Sequence, residues 1–219
     1  MVDPSLRVKI CGIMSPAQGE AIAALGAHSI GFICVQKSPR YVTPEQIKAV
    51  ALVLPKGVDR VGVFMNTHVG DIVDIVKKSG LTSVQLHGDE SVGFCSELRS
   101  ALREQITTAS IELIKAFRIE SAAGLGNTHS YRAVVDWFLL DAYHPTMGGG
   151  TGLTLDWGTL REFRPTVPWL LAGGLNPDNV RDALQTIAPQ GIDLSSGVER
   201  SSGDKDLRQV ARLFEQLKN

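Results

Sequence analysis

Short β-rich runs repeat along the whole chain, and each run is followed by turn residues and then by a helix-like stretch. Such runs predict strands and such stretches predict helices. Eight runs predict strands: Arg7–Ile13, Ser29–Val35, Asp59–Asn66, Ser83–Gly88, Glu112–Ile119, Val135–Tyr143, Pro168–Leu175 and Gly191–Val198. Because strands and helices alternate, we expect a parallel sheet covered by helices. Eight units in 219 residues favour a closed (β/α)8 TIM barrel over an open sheet.

The helical stretches number seven, and their starting residues support several of them. Four examples are Pro16–Leu25, Pro44–Leu54, Val69–Ser79 and Asp204–Leu217. A capping residue followed by a proline predicts a helix start at three places: Ser15-Pro16, Thr43-Pro44 and Asn176-Pro177. The segment Glu120–Val134 contains two glycines and an asparagine, so we expect the fifth helix to be short or irregular. No linker divides the chain, and we expect residues 1–219 to form a single barrel domain.

Polar side chains occupy every second position in several predicted strands. In the first strand, Lys9 and Cys11 alternate with Val8 and Ile10. The fourth, eighth and sixth strands place polar residues in the same way: Gln85 and His87, Asp193 and Ser195, and Asp141. Because successive side chains point to opposite faces of a strand, we expect the apolar set to face the helices and the polar set to face the barrel interior.

The inward polar residues lie toward the carboxyl ends of their strands, where barrel enzymes carry their active sites. Cys11, His87, Asp141 and Ser195 therefore form a candidate site, and the alternative is a set of structural polar groups that are satisfied by one another.

The first and eighth strands become neighbours when a barrel closes, and an unpaired interior charge is costly. We therefore expect Lys9 to pair with Asp193 or to share a polar network with it. A cation two residues before Cys11 would lower the pKa of the thiol. The alternative is that Lys9 only fills the barrel floor.

Composition and charge narrow the class of protein. Hydrophobic residues make up 43% and charged residues 21%, and the net charge is −1, so we expect neither a nucleic-acid partner nor a membrane partner. The beginning of the chain contains no signal-peptide pattern, and the three widely spaced cysteines suit reduced thiols, so we expect a cytoplasmic protein. The histidines and cysteines lack metal-ligand spacing, and no dinucleotide fingerprint, Walker loop or GxSxG elbow occurs, so we expect no cofactor and no metal.

Glycine and serine follow the seventh and eighth predicted strands. Gly173-Gly174 and Ser195-Ser196-Gly197 occupy the loops that commonly bind phosphate in such barrels. Glycine allows backbone N–H groups to approach an anion closely, and the next helix N-terminus adds a favourable dipole. The alternative is that these glycines only form turns.

Seven segments, in order across nearly the whole chain, resemble the phosphoribosylanthranilate isomerase family of tryptophan biosynthesis. They are Lys9–Gly12, Lys37–Val42, Val61–Phe64, Gln85–Glu90, Gly149–Gly152, Leu171–Leu175 and Asp193–Glu199. The resemblance implies a barrel that performs an Amadori rearrangement of N-(5-phosphoribosyl)anthranilate to 1-(2-carboxyphenylamino)-1-deoxyribulose 5-phosphate. The sequence departs from the family pattern at Leu153 and Leu155 and at the segment before Lys37, which affects loop packing more than chemistry.

The resemblance also implies roles for individual residues. It assigns the general base to Cys11 and the general acid to Asp141, and it places His87 among the substrate-binding residues. The guanidinium of Arg40 suits the anthranilate carboxylate. The glycine-rich run Met147–Gly152 would form a lid over the site. Without the resemblance, Cys11 is more readily interpreted as a buried small apolar residue, and Asp141 is equally readable as a capping residue and Arg40 as a surface side chain.

Two other functions compete with the isomerase. A lyase or synthase on a related phosphate-binding barrel would more naturally use Lys and Glu pairs. A non-catalytic phosphosugar-binding module would need the phosphate loops but neither Cys11 nor Asp141. In each case we expect a small phosphorylated molecule as the ligand, and we expect a monomer or a homodimer.

Overall fold

Eight parallel strands close into a barrel in which each strand pairs with its neighbours in the sequence and β8 pairs with β1. The structure, a computed structural model, describes residues 6–119, 122–141 and 157–218. The strands are Arg7–Cys11 (β1), Ser29–Ile33 (β2), Asp59–Phe64 (β3), Ser83–Leu86 (β4), Glu112–Arg118 (β5), Trp137–Asp141 (β6), Trp169–Ala172 (β7) and Gly191–Leu194 (β8). The predicted fold class is confirmed.

The helices of the described residues surround the barrel. They are Pro16–Ala24 (α1), Pro44–Ala51 (α2), Val69–Ser79 (α3), Val92–Gln105 (α4), Val180–Thr186 (α5) and Leu207–Lys218 (α6). Short 3-10 helices form Ala122–Tyr131, Trp157–Leu160 and Ser196–Val198. The fifth connection is therefore irregular, as predicted, and a second 3-10 helix precedes β7. Among the described residues, no helix is long and apolar enough to cross a membrane.

Alternation along the strands separates two apolar cores. Inside the barrel lies a small cluster: Val61, Ile114, Ala116, Leu139, Leu170 and Ala172. Outside it, strand residues pack with the helices in a larger core that includes Val8, Ile10, Val84, Leu86, Ile192 and Leu194. Lys9 and Gln85 are buried on the opposite face of their strands from this outer set. The predicted facing of these strands is confirmed, because the period of two is a property of the extended backbone.

Two of the three predicted helix caps form. Ser15 accepts a hydrogen bond from the Gln18 amide, and Thr43 forms a reciprocal capping box with Gln46. The Asn176-Pro177 prediction is wrong, since α5 begins three residues after the proline, at Val180. The Asn176 side chain instead accepts hydrogen bonds from the two amides that precede α5, so its capping capacity closes a turn.

Several element boundaries differ from the sequence prediction. The strands other than β6, whose predicted end lies outside the described residues, end earlier than predicted, and the residues that follow them form the loops of the barrel mouth. The last helix starts at Leu207 rather than at Asp204. Asp204 instead belongs to an antiparallel hairpin of Glu199–Ser201 (β9) and Asp204–Lys205 (β10), where it pairs with Arg200.

Candidate active site

A cavity of about 260 Å³ opens at the carboxyl ends of the strands, and all nine residues predicted for the site line it. They come from the ends of β1 and β6 and from the loops after β2, β4, β7 and β8. These residues are Cys11, Arg40, His87, Asp141, Gly173, Gly174, Ser195, Ser196 and Gly197. Residues far apart in the sequence converge here because parallel strands all end at the same rim.

The buried ammonium of Lys9 lies 2.9 Å from Asp193 Oδ2, directly across the β1–β8 pair. The predicted pairing is confirmed. The second carboxylate oxygen of Asp193, Oδ1, is buried without a hydrogen-bond partner among the described residues, and Asp193 also lines the cavity. A buried acceptor of this kind is available to a hydroxyl or N–H group of a bound ligand.

Cys11 is the last residue of β1 and is buried beside this pair. Burial raises the pKa of the Cys11 thiol above its ordinary value, while Lys9 lowers it and Asp193 raises it. The predicted direction of the Lys9 effect is right, but burial outweighs it. Cys11 therefore rests as a thiol at neutral pH, and thiolate formation depends on the cation beside it.

His87 and Asp141 face each other across the cavity from the β4 and β6 sides. His87 Nε2 lies 3.4 Å from Asp141 Oδ2, and His87 Nδ1 lies 2.9 Å from the amide nitrogen of Gln85. If that amide donates, Nδ1 accepts and the imidazole carries its proton on Nε2, toward Asp141. The backbone amide of His87 donates to Phe64 O at 2.8 Å, which fixes the residue against β3.

The loops after β7 and β8 have the backbone that an anion site needs. Gly173 and Gly174 have φ values of 93° and 66°, where glycine is favoured, and their amides donate to no other described residue. A Cβ on Gly197 would lie 1.9 Å from Leu175 O, so only glycine fits between the two loops. The α-helix after this loop, α5, begins at Val180, six residues after Gly174.

Arg40 reaches the cavity from the loop between β2 and α2, and Glu199 of the hairpin holds it. Arg40 Nε lies 2.9 and 3.2 Å from the two Glu199 carboxylate oxygens, and Nη2 lies 2.5 Å from one of them. This contact occupies one edge of the guanidinium, and Nη1 donates to no described residue. One donor edge thus remains for a ligand carboxylate.

Comparison with known proteins identifies the family. A family model described as N-(5'phosphoribosyl)anthranilate (PRA) isomerase matches residues 8–216. The chain belongs to this isomerase family. The N-(5'-phosphoribosyl)anthranilate isomerase of Nostoc punctiforme is 55% identical over 212 residues, which are 97% of this chain and 98% of the relative.

Solved structures of the phosphoribosylanthranilate isomerase family share the whole fold. One, in complex with reduced 1-(o-carboxyphenylamino)-1-deoxyribulose 5-phosphate, is 33% identical with a TM-score of 0.83, covering 97% of this chain and 98% of that chain. Monomers of the dimeric enzyme of Thermotoga maritima are also 33% identical, with a TM-score of 0.81 and the same coverage. Membership of this family confirms the predicted aldose–ketose isomerase, and it excludes the two alternatives, a lyase or synthase and a non-catalytic binding module.

Several side chains in or beside the candidate site carried no clear sequence signal. Glu199 and Ser38 lie within motifs of the resemblance, but nothing in the sequence assigns them a role, and Lys205 follows no pattern that marks it. Only the folded hairpin brings Lys205 within 2.6 Å of Glu199. The run Met147–Gly152, predicted as a lid, and Leu153 and Leu155 lie outside the described residues.

A second cavity of about 570 Å³ adjoins the first and shares His87 with it. Its buried Lys115–Glu90 pair is the kind that a lyase would use, but the ammonium is fully engaged by Glu90 and by the carbonyls of Gly88 and Ala116. Glu90 in turn accepts from the Gly88 amide. The pair therefore holds the loop that carries His87 rather than offering a free amine.

Proposed function

We propose that Cys11 and Asp141 perform the two proton transfers of an Amadori rearrangement of N-(5-phosphoribosyl)anthranilate. The observation that carries this proposal is their convergence. A thiol on β1 and a carboxyl group on β6 line one cavity together with a candidate phosphate loop and a candidate carboxylate-binding arginine. Opening of the furanose ring requires a general acid, and abstraction of the C2 proton requires a general base. This arrangement offers a candidate for each.

Asp141 donates the first proton in this scheme. The proton goes to the furanose ring oxygen, the bond between that oxygen and C1 breaks, and C1 and the anthranilate nitrogen form a Schiff base. His87, 3.4 Å from the Asp141 carboxylate, is the neighbour that orients this acid and binds the sugar.

Cys11 takes the second proton. As a thiolate it removes the C2 proton of the Schiff base, which gives an enolamine that tautomerises to the ketone, so substrate and product are isomers. The buried ammonium of Lys9 supports the proposal, since it lowers the free-energy cost of the thiolate where burial opposes it.

The cavity lining offers a candidate partner for each of the two anionic ends of the substrate. The phosphate would lie against Gly173, Gly174 and the Ser195–Gly197 loop, whose glycines leave backbone amides accessible. The anthranilate carboxylate would take the free edge of Arg40.

The direct test is to incubate the protein with freshly made phosphoribosylanthranilate and to follow the loss of its fluorescence. We expect rapid, protein-dependent loss with competition by inorganic phosphate, and far weaker binding of the dephosphorylated substrate. Unchanged fluorescence decay in the presence of the folded protein would overturn the proposal. A cytoplasmic location, a single domain over residues 1–219 and a monomeric or homodimeric state accompany the proposal and stay predictions.

A further inference from the structure

The hairpin β9–β10 directly follows the candidate phosphate loop and returns two charged side chains toward the barrel mouth. Only 4% of the Glu199 side chain and none of the Lys205 side chain is exposed. Burial of two ions is costly unless each is paired and hydrogen-bonded. The hairpin therefore holds a buried ion pair, which is more than a loop needs to reverse the direction of the chain.

Lys205 connects the hairpin to the loop after β8 through its ammonium group. Its Nζ lies 2.6 Å from Glu199 Oε1, 3.1 Å from Ser195 O and 3.3 Å from Ser195 Oγ. Three acceptors match the three N–H bonds of a protonated amine. Burial lowers the pKa of Lys205, and the Glu199 carboxylate opposes that effect.

Glu199 connects Lys205 to Arg40. Although burial opposes ionisation, hydrogen bonds from Arg40 and Lys205 lower the pKa of Glu199 to about 2. The carboxylate is therefore charged throughout the neutral range. Close packing at Gly12 supports the same arrangement, since a Cβ there would lie 2.8 Å from Arg40 Cδ and 3.5 Å from Lys205 Nζ.

The charges of this cluster decide what Arg40 can attract. Arg40 and Glu199 alone would sum to zero, and the anchored guanidinium would then offer little attraction to an incoming anion. Lys205 restores a net charge of +1 to the three side chains. We propose that Lys205 and Glu199 are positioning residues that determine specificity for the substrate carboxylate: Glu199 fixes the guanidinium of Arg40, and Lys205 offsets the Glu199 charge.

This inference rests on the proposed function, in which Arg40 binds the carboxylate, and equilibrium binding can test it separately. The probes are the reaction product, 1-(2-carboxyphenylamino)-1-deoxyribulose 5-phosphate, and its phenylamino counterpart, which lacks only the carboxylate. The dissociation constant of the phenylamino compound divided by that of the product measures discrimination for the carboxylate. The contribution of the phosphate cancels in this ratio, because both probes carry it.

We expect Lys205→Met to reduce that ratio by about tenfold and to raise KM far more than it lowers kcat. The double variant Lys205→Met, Glu199→Gln removes both charges and leaves Arg40 with a net +1, while the amide oxygen that replaces the carboxylate can still accept from Arg40 Nε, so it should recover part of the discrimination. Arg200→Met is the matched control, because it breaks the exposed ion pair with Asp204 on the same hairpin without changing the buried cluster.

A purely structural role for Lys205 predicts that the double variant is no better than the single one, and that result would overturn the inference. If Lys205→Met does not fold, Lys205→Gln removes the charge while keeping a donor for Ser195, and the same comparison applies. Wild-type protein that binds neither probe would instead refute the proposed function. Normal binding with unchanged discrimination in the Lys205 variants refutes only this inference.

Discussion

At the residue scale, Cys11 has the burial of a small core residue and the neighbours of an ionised group. Burial raises the pKa of its thiol, and Lys9 acts against that rise. Lys9 itself has a raised pKa, because Asp193 and Cys11 outweigh the effect of burial. The ionisation of Cys11, Lys9 and Asp193 is therefore coupled, because each of these side chains affects the pKa of Lys9 or of Cys11.

The assigned acid and base give the first prediction. We expect Cys11→Ala and Asp141→Asn each to lower kcat by about 10²–10⁴-fold, because general acid–base groups contribute on that order, while the thermal melting curve stays near that of wild type. Cys34→Ala is the control, since Cys34 packs on the outer core and should leave turnover unchanged. Near-normal turnover in both catalytic variants would show that the assignment is wrong.

The second prediction concerns the pH dependence of Cys11. Because Lys9 lowers the pKa of the thiol, Lys9→Met should raise it further and shift the alkylation profile of Cys11 to higher pH. Peptide mass spectrometry separates this reaction from Cys34 and Cys95, whose pKa values burial raises to about 12 and about 11.

The variant Lys9→Met, Asp193→Asn is the control for the carboxylate that the single substitution leaves unpaired. Its profile should also lie above that of wild type, but by less than that of Lys9→Met. If the pH profiles of Cys11 alkylation superimpose for wild type and both variants, with the fold preserved, Lys9 has only a packing role.

At the element scale, the loops after β7 and β8 fit together as one unit. Positive φ at Gly173 and Gly174 turns the first loop, and Gly197 lets the second loop approach Leu175 O. The Asn176 side chain then closes the turn that leads into α5. The shape of the candidate phosphate site follows from these backbone contacts rather than from charged side chains.

Gly197→Ala should therefore weaken phosphate binding. The added Cβ would lie 1.9 Å from Leu175 O, so one loop must shift, and we expect a rise of about tenfold or more in the inhibition constant of inorganic phosphate. Gly126→Ala is the matched control, because a Cβ at Gly126 meets nothing within 4 Å. Equal inhibition constants of inorganic phosphate for Gly197→Ala and Gly126→Ala would show that Gly197 does not contribute to phosphate binding.

At the scale of the whole molecule, the two ends of the barrel have different roles. At the amino end, Arg7 of β1 bonds to Ser29 of β2, Asp59 of β3 and Glu112 of β5, and its guanidinium lies 4.8 Å from the ring centre of Trp137 of β6. One side chain thus connects five strands at the floor. The carboxyl end carries the cavity and its polar groups, as in barrel enzymes generally.

Arg7→Met should therefore affect stability and spare catalysis. We expect a loss of roughly 1–2 kcal/mol, moderated because Asp59 and Glu112 are partly exposed, and a fall in Tm of about 2–4 °C per kcal/mol, with kcat/KM unchanged. Calorimetry and the fluorescence assay measure the two effects. Arg164→Met is the control, since exposed Arg164 bonds, within the described part of the chain, only to carbonyls near it in the sequence. A loss of activity in Arg7→Met at full stability would contradict the separation.

Much of the fold and part of the site follow from the sequence by itself. The alternation of Lys9 and Cys11 with Val8 and Ile10 is a local property of an extended backbone, so it fixed which side chains face the barrel interior. The number of strand–helix units indicated closure, and closure made β1 and β8 neighbours, which paired Lys9 with Asp193. The glycines after β7 and β8 were also visible, because few other residues allow those turns.

Only the tertiary structure decided the rest. The pKa of Cys11 depends on its burial and on charged side chains of β1, β8 and the hairpin. A local sequence pattern does not show how these effects combine. Arg40 and Glu199 are separated by 159 positions in the chain. Lys205 reaches them because Asp204–Lys205, predicted as the start of the last helix, forms a strand of the hairpin instead. Periodicity is set by bonds between neighbouring residues, whereas desolvation and Coulomb attraction depend on every group within several ångströms, wherever it lies in the chain.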